Sequence, residues 1–341
     1  MRKLALYFEA PYRVAVREEQ LNEPGPGQLL VKTFASAISA GTELLIYRGK
    51  VPPDMQADQT ITALPGTLTF PMKYGYAAVG DVAAAGPDLE KAWIGKKVFV
   101  FNPHESHFLA AVEDVMPLPP GMSVEDALFF PNMETAVTLS HDGKPAIGEQ
   151  VTVFGQGVVG LLLTSLLARL PLASLVTIDR WPLRRRASLN AGAHFSIDPS
   201  SPDGTREILS HLQATRPYHG ADLSYEVSGN PEALDKAISV TGYHGRVVIG
   251  SWYGVTQTRL NLGTTFHRSR MRLISSQVST IDPELRGRWN KDRLRNLVWN
   301  MIALVRPSGF VTHRIHLSKA DDAYRLIDEQ PEKALQVLLT Y

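Results

Sequence analysis

The sequence predicts a two-domain α/β protein in which a small, irregular β domain precedes a doubly wound parallel sheet. Glycine, proline and short apolar runs characterise residues 1–125, as expected for short strands joined by turns. From residue 150 onward, apolar strands alternate with helical segments at the spacing of strand–helix–strand units. The 341 residues suffice for two domains of ordinary size, and a hydrophobic content of 44% supports two cores.

Composition excludes several classes of function. The net charge of +1 gives no reason to expect nucleic acid or acidic membranes as partners. No apolar run reaches the roughly 20 residues of a membrane span, and the N-terminal segment is unlike a signal peptide. We therefore expect a soluble, cytoplasmic protein. The chain contains no cysteine, which excludes disulfides, thiolate nucleophiles and zinc sites with sulfur ligands.

Alternating apolar residues predict the strands of the first domain, which should enclose a barrel-like core. The predicted strands are Leu4–Phe8, Val14–Arg17, Gln28–Ala37, Tyr76–Val82, Lys97–Phe101 and Phe108–Ala111. Two helices follow these strands. Ser123 and Asp126 form a capping signature that predicts the start of the first helix, and the second helix is predicted at Glu134–Ser140.

The segment 150–179 is the most informative part of the chain. A strand is predicted at Gln150–Phe154, a helix at Leu161–Leu170 and a second strand at Leu175–Ile178. Between the first strand and the helix lies the glycine motif Gly155-Gln156-Gly157-Val158-Val159-Gly160. This order, with an acid ending the second strand, predicts a dinucleotide-binding unit; a plain strand–helix–strand unit with a glycine turn is the alternative.

Each part of this unit has a physical role. Gly155 permits the tight turn, Gly157 lets the backbone approach a pyrophosphate, and Gly160 lets the helix pack on the strand. The helix N-terminus offers free N–H groups and the positive end of its dipole to phosphates. Asp179 is placed to accept hydrogen bonds from both adenosine ribose hydroxyls. Its charge favours NAD over NADP, whereas the adjacent Arg180 favours a 2′-phosphate.

The rest of the second domain continues the alternation of strands and helices. The predicted strands are His194–Ile197, Ala221–Glu226, Arg246–Gly250 and Met271–Ser279, and the predicted helices are Leu183–Ala191, Arg206–Gln213 and Glu232–Val240. Residues at the strand ends should face the cofactor, with ordinary turn chemistry as the alternative reason for their presence. The cofactor contacts predicted there are Ser228, Gly229, Asn230, Ser251 and Trp252.

The C-terminal tail is expected to pack back onto the first domain. It contains predicted helices at Asp292–Val305 and Lys319–Glu329, together with short strands. The predicted domains are therefore 1–125, completed by 280–341, and 126–279. A ligand should bind in the cleft between them, at the carboxyl ends of the parallel strands.

These motifs, in this order, resemble the medium-chain dehydrogenase/reductase superfamily over nearly the whole chain. The matching segments are Ala40–Leu44, Gly75–Ala77, Gly80–Val82, Gly155–Gly160, Ala221–Asp222, Glu226–Asn230 and Gly245–Gly250. The resemblance implies a GroES-like catalytic domain, a Rossmann domain, NAD or NADP as cofactor, and a homodimer formed through the sixth Rossmann strand. Within the superfamily, Ser39–Gly49 and Phe266–Gln277 are similar to the branch that contains bacteriochlorophyllide dehydrogenase.

The sequence departs from the superfamily at its zinc sites. In zinc-dependent members a Cys, a His and a third Cys, Asp or Glu hold the catalytic metal. Here Ala40 stands at the Cys position and Tyr76 at the His position, while Ala77 replaces a supporting Glu. The third ligand position falls on Phe130 or Pro131, and the four cysteines of the structural zinc are missing. We therefore predict no metal; a rebuilt site would have to draw on His104, His107, Glu43 and Glu134.

Without zinc, a hydrogen-bond donor must stabilise the substrate oxygen as charge develops on it. Tyr76 is predicted to donate its phenolic proton there, although it could instead fill the space left by the metal. Thr42 matches the superfamily's hydroxyl that relays a proton between substrate and cofactor ribose, and a turn threonine is the alternative. Glu43 matches an Asp of the superfamily, and we expect a structural role for it.

Further candidates are weaker. Glu134 lies where the superfamily's chain passes the nicotinamide, so it could accept a proton or orient the carboxamide. It could equally be an N-terminal helix acid stabilised by the dipole. His104 and His107 lie in a predicted loop, where they could carry protons or simply be solvated. The arginines of His267–Arg270 could hold a carboxylate or phosphate, or could face solvent or a partner subunit.

The leading functional prediction is a zinc-independent, NAD-linked oxidoreductase that interconverts a secondary alcohol and a ketone. An NADPH-dependent enone or quinone reductase is the second prediction, since other metal-free members of the superfamily catalyse that reaction. A non-catalytic, cofactor-binding relative is the third, because the loss of all the metal ligands permits it. The substrate is expected to be a small molecule.

Overall fold

A computed structural model describes residues 1–212 and 219–341, and its contacts divide the chain into two compact units. Unit 1 comprises residues 1–131 and 306–341, and unit 2 comprises residues 132–305. The predicted domain boundaries at 125/126 and 279/280 differ from this division. The larger difference concerns the segment 280–305, which lies in unit 2.

The first part of unit 1 consists of short strands and two helices of one or two turns each. In chain order its elements are β1 (Arg2–Ala10), β2 (Arg13–Gln20), β3 (Gln28–Ala37), α1 (Ala40–Tyr47), β4 (Ala78–Ala85), β5 (Lys97–Val100), β6 (His107–Ala111), β7 (Val115–Pro117) and α2 (Val124–Ala127).

Unit 2 alternates strands and helices in the predicted manner. Its elements are α3 (Phe130–Gly143), which begins at the end of unit 1, β8 (Gln150–Phe154), α4 (Val158–Leu167), β9 (Ser174–Ile178), α5 (Pro182–Asn190), β10 (Phe195–Ile197), α6 (Gly204–Ser210), β11 (Ala221–Glu226), α7 (Pro231–Val240), β12 (Thr241–Ile249), β13 (Arg272–Ser275) and α8 (Lys291–Val305).

The chain then returns to unit 1 with β14 (Val311–His316), α9 (Ala320–Glu329) and β15 (Gln336–Thr340). Across the two described ranges, no helix is both long and apolar enough to cross a membrane.

The predicted elements of unit 1 are largely present. The predicted strand Gln28–Ala37 coincides with β3, and Ser123 caps α2 as expected, its Oγ accepting from the Asp126 N–H at 3.0 Å. The predicted strand Tyr76–Val82 is wrong at its start, because β4 begins at Ala78. Helix α1 was not predicted, because its apolar residues give only weak helical periodicity.

Unit 1 is built on a mixed sheet with the strand order β14-β15-β3-β4-β5-β7, and β6 also pairs with β3. Strands β1 and β2 form a separate antiparallel hairpin. The tail packs as predicted, since β15 runs antiparallel to β3 and pairs Leu338 with Ala37. One side of the sheet carries a core cluster that includes Leu29, Val31, Val98, Val100 and Phe108.

Unit 2 contains a six-stranded parallel sheet with the order β10-β9-β8-β11-β12-β13. This is the doubly wound order 3-2-1-4-5-6, in which the winding reverses between the first and fourth strands, here β8 and β11. The register aligns the last residues of three strands, with Phe154 beside Ile178 on one side and beside Glu226 on the other. The loops that follow these strands therefore gather at one edge, which confirms the predicted fold class.

Several predicted elements of unit 2 have wrong bounds. The predicted helix Glu134–Ser140 is part of the longer α3, and β12 begins at Thr241, before the predicted Arg246. Helix α4 runs over Val158–Leu167 instead of Leu161–Leu170, because Gly157 already precedes the helix and Ala168 ends it. Strand β13 is shorter than the predicted Met271–Ser279, because β12, with which it pairs, ends at Ile249. Gln213, the last residue of another predicted helix, lies outside the described residues.

Helix α8 explains why the segment 280–305 belongs to unit 2. Leu294, Val298 and Ile302 recur at helical spacing and are buried. The helix contacts α4, and Lys291 Nζ lies 3.0 Å from an oxygen of Glu134 in α3. An apolar stripe of this kind has to pack on a core, and unit 2 provides it.

Tyr225 in β11 is fully buried with an unsatisfied hydroxyl. No hydrogen-bond partner for this hydroxyl lies among residues 1–212 and 219–341. Gly143 makes room for the phenol, since an added Cβ there would lie 2.1 Å from the hydroxyl oxygen. A buried hydroxyl without a partner costs about 1–3 kcal/mol of desolvation.

We expect Tyr225→Phe to raise the free energy of unfolding by about 1 kcal/mol, because it keeps the ring and removes the unsatisfied hydroxyl. Tyr324→Phe is the matched control: Tyr324 is equally buried, but its hydroxyl donates to Glu43, so the same change should be destabilising by about 1–3 kcal/mol. Urea unfolding of the two variants measures both effects. A decrease in the free energy of unfolding on Tyr225→Phe would contradict the conclusion that the Tyr225 hydroxyl is unsatisfied.

Candidate active site

Tyr76 and Thr42 are neighbours in unit 1, as expected of two residues that belong to one catalytic site. The Tyr76 hydroxyl donates to Ser39 Oγ and lies 3.4 Å from Thr42 Oγ1. Burial raises the pKa of the phenol; the bonds to these two hydroxyls oppose that shift, and the carboxylates of Glu43 and Asp58 add to it. With its pKa above the ordinary value, the phenol keeps its proton at neutral pH and can act as a donor.

Glu43 in α1 is fully buried and accepts hydrogen bonds on both carboxylate oxygens. The Ser39 N–H donates to Oε1 at 2.7 Å. His104 Nε2 lies 3.0 Å from Oε2, and the Tyr324 hydroxyl donates to the same oxygen. Three donors replace the lost water around the carboxylate, so a charged group can remain buried. The structural role expected for Glu43 agrees with this geometry.

His104 is fully buried, so the alternative of a solvated loop histidine is wrong. Its Nδ1 lies 2.7 Å from Ser36 Oγ, which in turn lies 2.7 Å from the Tyr341 hydroxyl. The ring packs so closely on Gly75 that an added Cβ there would lie 2.7 Å from Nε2. His104 is therefore a fixed part of the Glu43 network, and its role as a proton carrier stays a prediction.

Glu134 and His107 have other partners. Glu134 lies beyond the first turn of α3 and pairs with Lys291, so the alternative of an N-terminal helix acid is wrong. His107 begins β6, half-buried, with Nδ1 at 3.2 Å from Ser106 Oγ. Burial and the charge of Lys32 lower the pKa of its imidazole. The catalytic roles suggested for both residues stay predictions.

The side chains at the metal positions of zinc-dependent dehydrogenases do not fit a zinc ion. Ala40 and the two residues at the third position, Phe130 and Pro131, offer no ligating side-chain atom, and the Tyr76 hydroxyl is bonded to Ser39. Within the described part of the chain, no three His, Asp or Glu side chains form a group that could hold a metal ion. The alternative set of His104, His107, Glu43 and Glu134 does not assemble into such a group.

In unit 2, the glycine motif lies at the sheet edge where β8 and β11 end. Gly155 has a φ of +94°, and an added Cβ there would lie 2.5 Å from Ser228 Cα. An added Cβ at Gly160 would lie 1.9 Å from the Gly155 carbonyl oxygen. At Gly157, by contrast, no described atom lies within 4 Å of an added Cβ, so this backbone faces open space. No side chain caps α4, which leaves its first N–H groups for phosphate oxygens.

Asp179 follows β9, where two backbone N–H groups hold its carboxylate. Gln156 N–H donates to one oxygen and Trp181 N–H to the other, both at 2.8 Å. Each oxygen keeps a further acceptor position for a ribose hydroxyl. The Gln156 side chain is buried and accepts from Thr164 Oγ1 at 3.0 Å, so it is not available to a cofactor. The Arg180 guanidinium lies over the Trp181 ring, 4.4 Å from its centre.

The loops after β11 and β12 are tied together at the same edge. Glu226 is fully buried and accepts from the Ser228 N–H at 2.8 Å and from the Tyr253 hydroxyl at 2.5 Å. Gly229 N–H donates to Ser251 Oγ at 2.8 Å. These bonds hold the predicted cofactor residues of both loops in one place beside the glycine motif.

The remaining cofactor candidates differ in what their side chains can do. The Asn230 side chain accepts from the Glu232 N–H at 3.1 Å and so caps α7, which agrees with the turn-chemistry alternative. Val158 and Val159 open α4 and are partly exposed, as is Trp252 after β12. Their contacts with a cofactor stay predictions.

Sequence reasoning missed Ser36, Ser39, Tyr324 and Tyr341. Most of these leave no local pattern, because they meet through the fold: the partners of His104 are 61 and 68 residues away in the chain. Ser39 was the exception, since a serine shortly before an acid is typical of a helix start. That signal would have placed α1, although not the bond to Tyr76.

Comparison with known proteins supports the relationship inferred from the motifs. A model of the zinc-binding dehydrogenase family matches residues 158–292. D-guloside 3-dehydrogenase of Escherichia coli (strain K12) is 22% identical over 353 residues, covering 98% of this chain and 99% of the relative. The 2-desacetyl-2-hydroxyethyl bacteriochlorophyllide A dehydrogenase of Cereibacter sphaeroides is 27% identical over 277 residues, covering 74% and 75% of the two chains.

Solved structures show the same fold. A short chain alcohol dehydrogenase from Escherichia coli CFT073, complexed with NADH, superimposes with a TM-score of 0.78 at 17% identity and covers 100% of this chain and 99% of its own. A putative zinc-binding dehydrogenase from Sinorhizobium meliloti 1021, bound to NADP, gives a TM-score of 0.76 at 19% identity and covers 100% of both chains.

The predicted resemblance is therefore confirmed at the level of the superfamily, and a bacteriochlorophyllide dehydrogenase is among the relatives. The doubly wound sheet order and the glycine motif at its reversal point agree with it. The chain is thus similar, over part of its length, to the zinc-binding dehydrogenase family, and it resembles members of the medium-chain dehydrogenase/reductase superfamily.

Proposed function

We propose that this protein is an NAD(H)-dependent oxidoreductase that interconverts a secondary alcohol and a ketone without zinc. The observation that carries the proposal is the Tyr76 phenol, which keeps its proton and bonds to Ser39 and Thr42. The resemblance to the superfamily implies that zinc-dependent members have a His ligand at this position. The relatives named D-guloside 3-dehydrogenase and bacteriochlorophyllide dehydrogenase support an alcohol as the substrate class.

The proposed chemistry divides between the cofactor and the chain. When bound, the nicotinamide supplies or accepts the hydride. Tyr76 donates a hydrogen bond and then a proton to the carbonyl oxygen, and in the reverse direction it removes the hydroxyl proton. A preorganised donor of this kind stabilises the developing charge that a metal would otherwise neutralise. Thr42 carries protons between this site and the cofactor ribose.

The surroundings of Asp179 support NAD over NADP. The carboxylate is fixed by Gln156 and Trp181 and would repel a 2′-phosphate. Arg180, the residue that favoured NADP in the sequence, lies over the Trp181 ring. A cation held on an aromatic face is less available to a phosphate.

We also propose a homodimer formed through β13. This strand ends the order of the six-stranded sheet, and Leu273 and Ile274 in it remain partly exposed. An open, apolar edge of this kind is suited to pairing with the same strand of a second copy.

The cofactor preference is tested by titrating the purified, chelator-treated protein with NADH and NADPH. We expect tighter binding of NADH, and Asp179→Asn should reduce the preference by about tenfold or more, because it removes the repelling charge. Asp203→Asn is the matched control, since Asp203 is exposed and lies outside the proposed cofactor site. Tighter binding of NADPH by the unaltered protein would favour the enone or quinone reductase, and binding of neither would contradict all three proposed functions and leave only the fold.

The role of Tyr76 is tested by Tyr76→Phe, which should reduce kcat by roughly 10²-fold and leave the Kd for NADH unchanged. Tyr74→Phe is the matched control: the ring of Tyr74 packs edge-on against Tyr76, with 6.1 Å between centres, and the variant should retain normal turnover. Steady-state kinetics on a panel of secondary alcohols and ketones provides the measurement. Near-normal turnover by Tyr76→Phe would exclude the phenol as the proton donor.

The raised pKa of Tyr76 also predicts a pH dependence. Alcohol oxidation needs the phenolate, so its kcat should increase with pH by up to about tenfold per unit through the alkaline range. Ketone reduction needs the protonated phenol and should stay level over the same range. Both profiles come from initial rates measured between neutral and alkaline pH. An alcohol oxidation rate that levels off near pH 7 would assign the base to a different group.

A further inference from the structure

Ser39 immediately precedes α1, but its hydroxyl does not cap that helix. The comparable residues Ser123 and Asn230 behave in the usual way, each accepting from a backbone N–H in the first turn of its helix. The Ser39 hydroxyl instead accepts from Tyr76. A hydroxyl that could accept from a backbone N–H in the first turn of α1 is thus directed to the Tyr76 phenol instead.

The backbone of Ser39 is held in place by Glu43. The Ser39 N–H donates to Glu43 Oε1 at 2.7 Å, and the Glu43 N–H donates back to the Ser39 carbonyl at 2.8 Å. Glu43 cannot readily change its conformation, since His104 and Tyr324 hold its other oxygen and all three side chains are fully buried. The buried pair of Glu43 and His104 therefore fixes the position from which Ser39 reaches Tyr76.

We propose that Ser39 is a positioning residue for Tyr76, held in register by the buried pair of Glu43 and His104. The inference rests on the proposed function, in which Tyr76 exchanges a proton with the substrate. A serine hydroxyl both accepts and donates, so Ser39 accepts from the phenol at rest and donates to its oxygen once the proton has gone to the substrate. Ser39 keeps its own proton throughout, and no bond to it forms or breaks.

This arrangement makes Ser39 one of the groups that set how easily Tyr76 releases its proton. Burial and, to a smaller extent, the charges of Glu43 and Asp58 raise the pKa of the phenol, whereas its hydrogen bonds to Ser39 and Thr42 lower that pKa. Hydrogen bonds to a charged oxygen are the stronger kind, so the Ser39 contact should matter most in the phenolate state. Its removal should therefore raise the pKa of Tyr76 and slow turnover without weakening substrate binding.

The contact is tested first without any catalysis. The full-length protein is prepared with 3,5-difluorotyrosine at position 76, whose fluorines bring the phenol into an accessible pH range, and its ¹⁹F signal is titrated. Ser39→Ala should raise the pKa of this phenol by about one unit, because it removes a donor to the phenolate. Ser39→Thr should restore the original value, and Ser123→Ala should not change it. An unchanged value in Ser39→Ala would overturn the proposal.

Turnover is measured with the same variants on the unlabelled protein. Ser39→Ala should lower kcat by about tenfold, with the KM and the Kd for NADH within about twofold of the original. Ser39→Gly serves as a second test if the alanine variant folds poorly, because glycine is well tolerated before a helix. Ser123→Ala should lower the Tm and leave kcat unchanged, since that serine caps α2.

The outcomes separate this inference from the proposed function. Normal turnover in Ser39→Ala, together with a large loss in Tyr76→Phe, would overturn the role of Ser39 and leave the proposed function standing. Normal turnover in Tyr76→Phe would overturn both. A parallel loss of kcat in the two variants, with the rise in the ¹⁹F pKa, would support the positioning role.

Discussion

A buried carboxylate has to be bonded on both oxygens, and in unit 1 this requirement falls on Glu43. Its three donors come from distant parts of the chain: Ser39 before α1, His104 between β5 and β6, and Tyr324 in α9. An unpaired charge in this position would destabilise the fold by several kcal/mol, so the three segments have to meet. Through Tyr324, these bonds hold the C-terminal segment to α1. The same bonds fix Ser39, whose hydroxyl accepts from Tyr76.

The arrangement in unit 2 depends on a different constraint, the alignment of strand ends in a parallel sheet. Because Phe154, Ile178 and Glu226 are neighbours in register, whatever follows them meets at one edge. The glycine turn, Asp179 and the Ser228 loop are therefore neighbours, although they are separated by up to about 70 residues. Glu226 plays a part here that resembles that of Glu43 in unit 1, since a buried carboxylate again holds a loop by its backbone.

The features that could be predicted from the sequence depend on residues that lie close together in the chain. The glycine motif, the strands around it and Asp179 depend on neighbours within 30 residues, and the structure reproduces them with shifts of a few positions at helix ends. The network around His104 could not be predicted in this way. A histidine in a predicted loop is expected to be solvated, and only the tertiary contacts with Ser36 and Glu43 account for the burial of this one. The segment 280–305 was misplaced for a similar reason: its amphipathic pattern requires an apolar surface but does not say which one.

The same distinction applies to the candidate active site. The absence of a ligating side chain at Ala40, and at Phe130 or Pro131, was visible in the sequence, and so was a polar residue at position 76. The sequence could not show whether Tyr76 points to solvent, fills space or bonds to polar groups. Its contacts with Ser39 and Thr42 make it a member of a hydroxyl cluster, and this geometry supports the proposal that the phenol acts in acid–base catalysis.

The central claim is that hydroxyl groups of this protein, and not a metal, stabilise the substrate oxygen and exchange its proton. Its most direct test is the zinc content of active enzyme, measured by elemental analysis on the same sample whose NADH-dependent turnover is recorded before and after prolonged chelation. The account predicts zinc far below one atom per chain and turnover that chelation does not change. One zinc per chain, with turnover lost on its removal and recovered on its return, would contradict it.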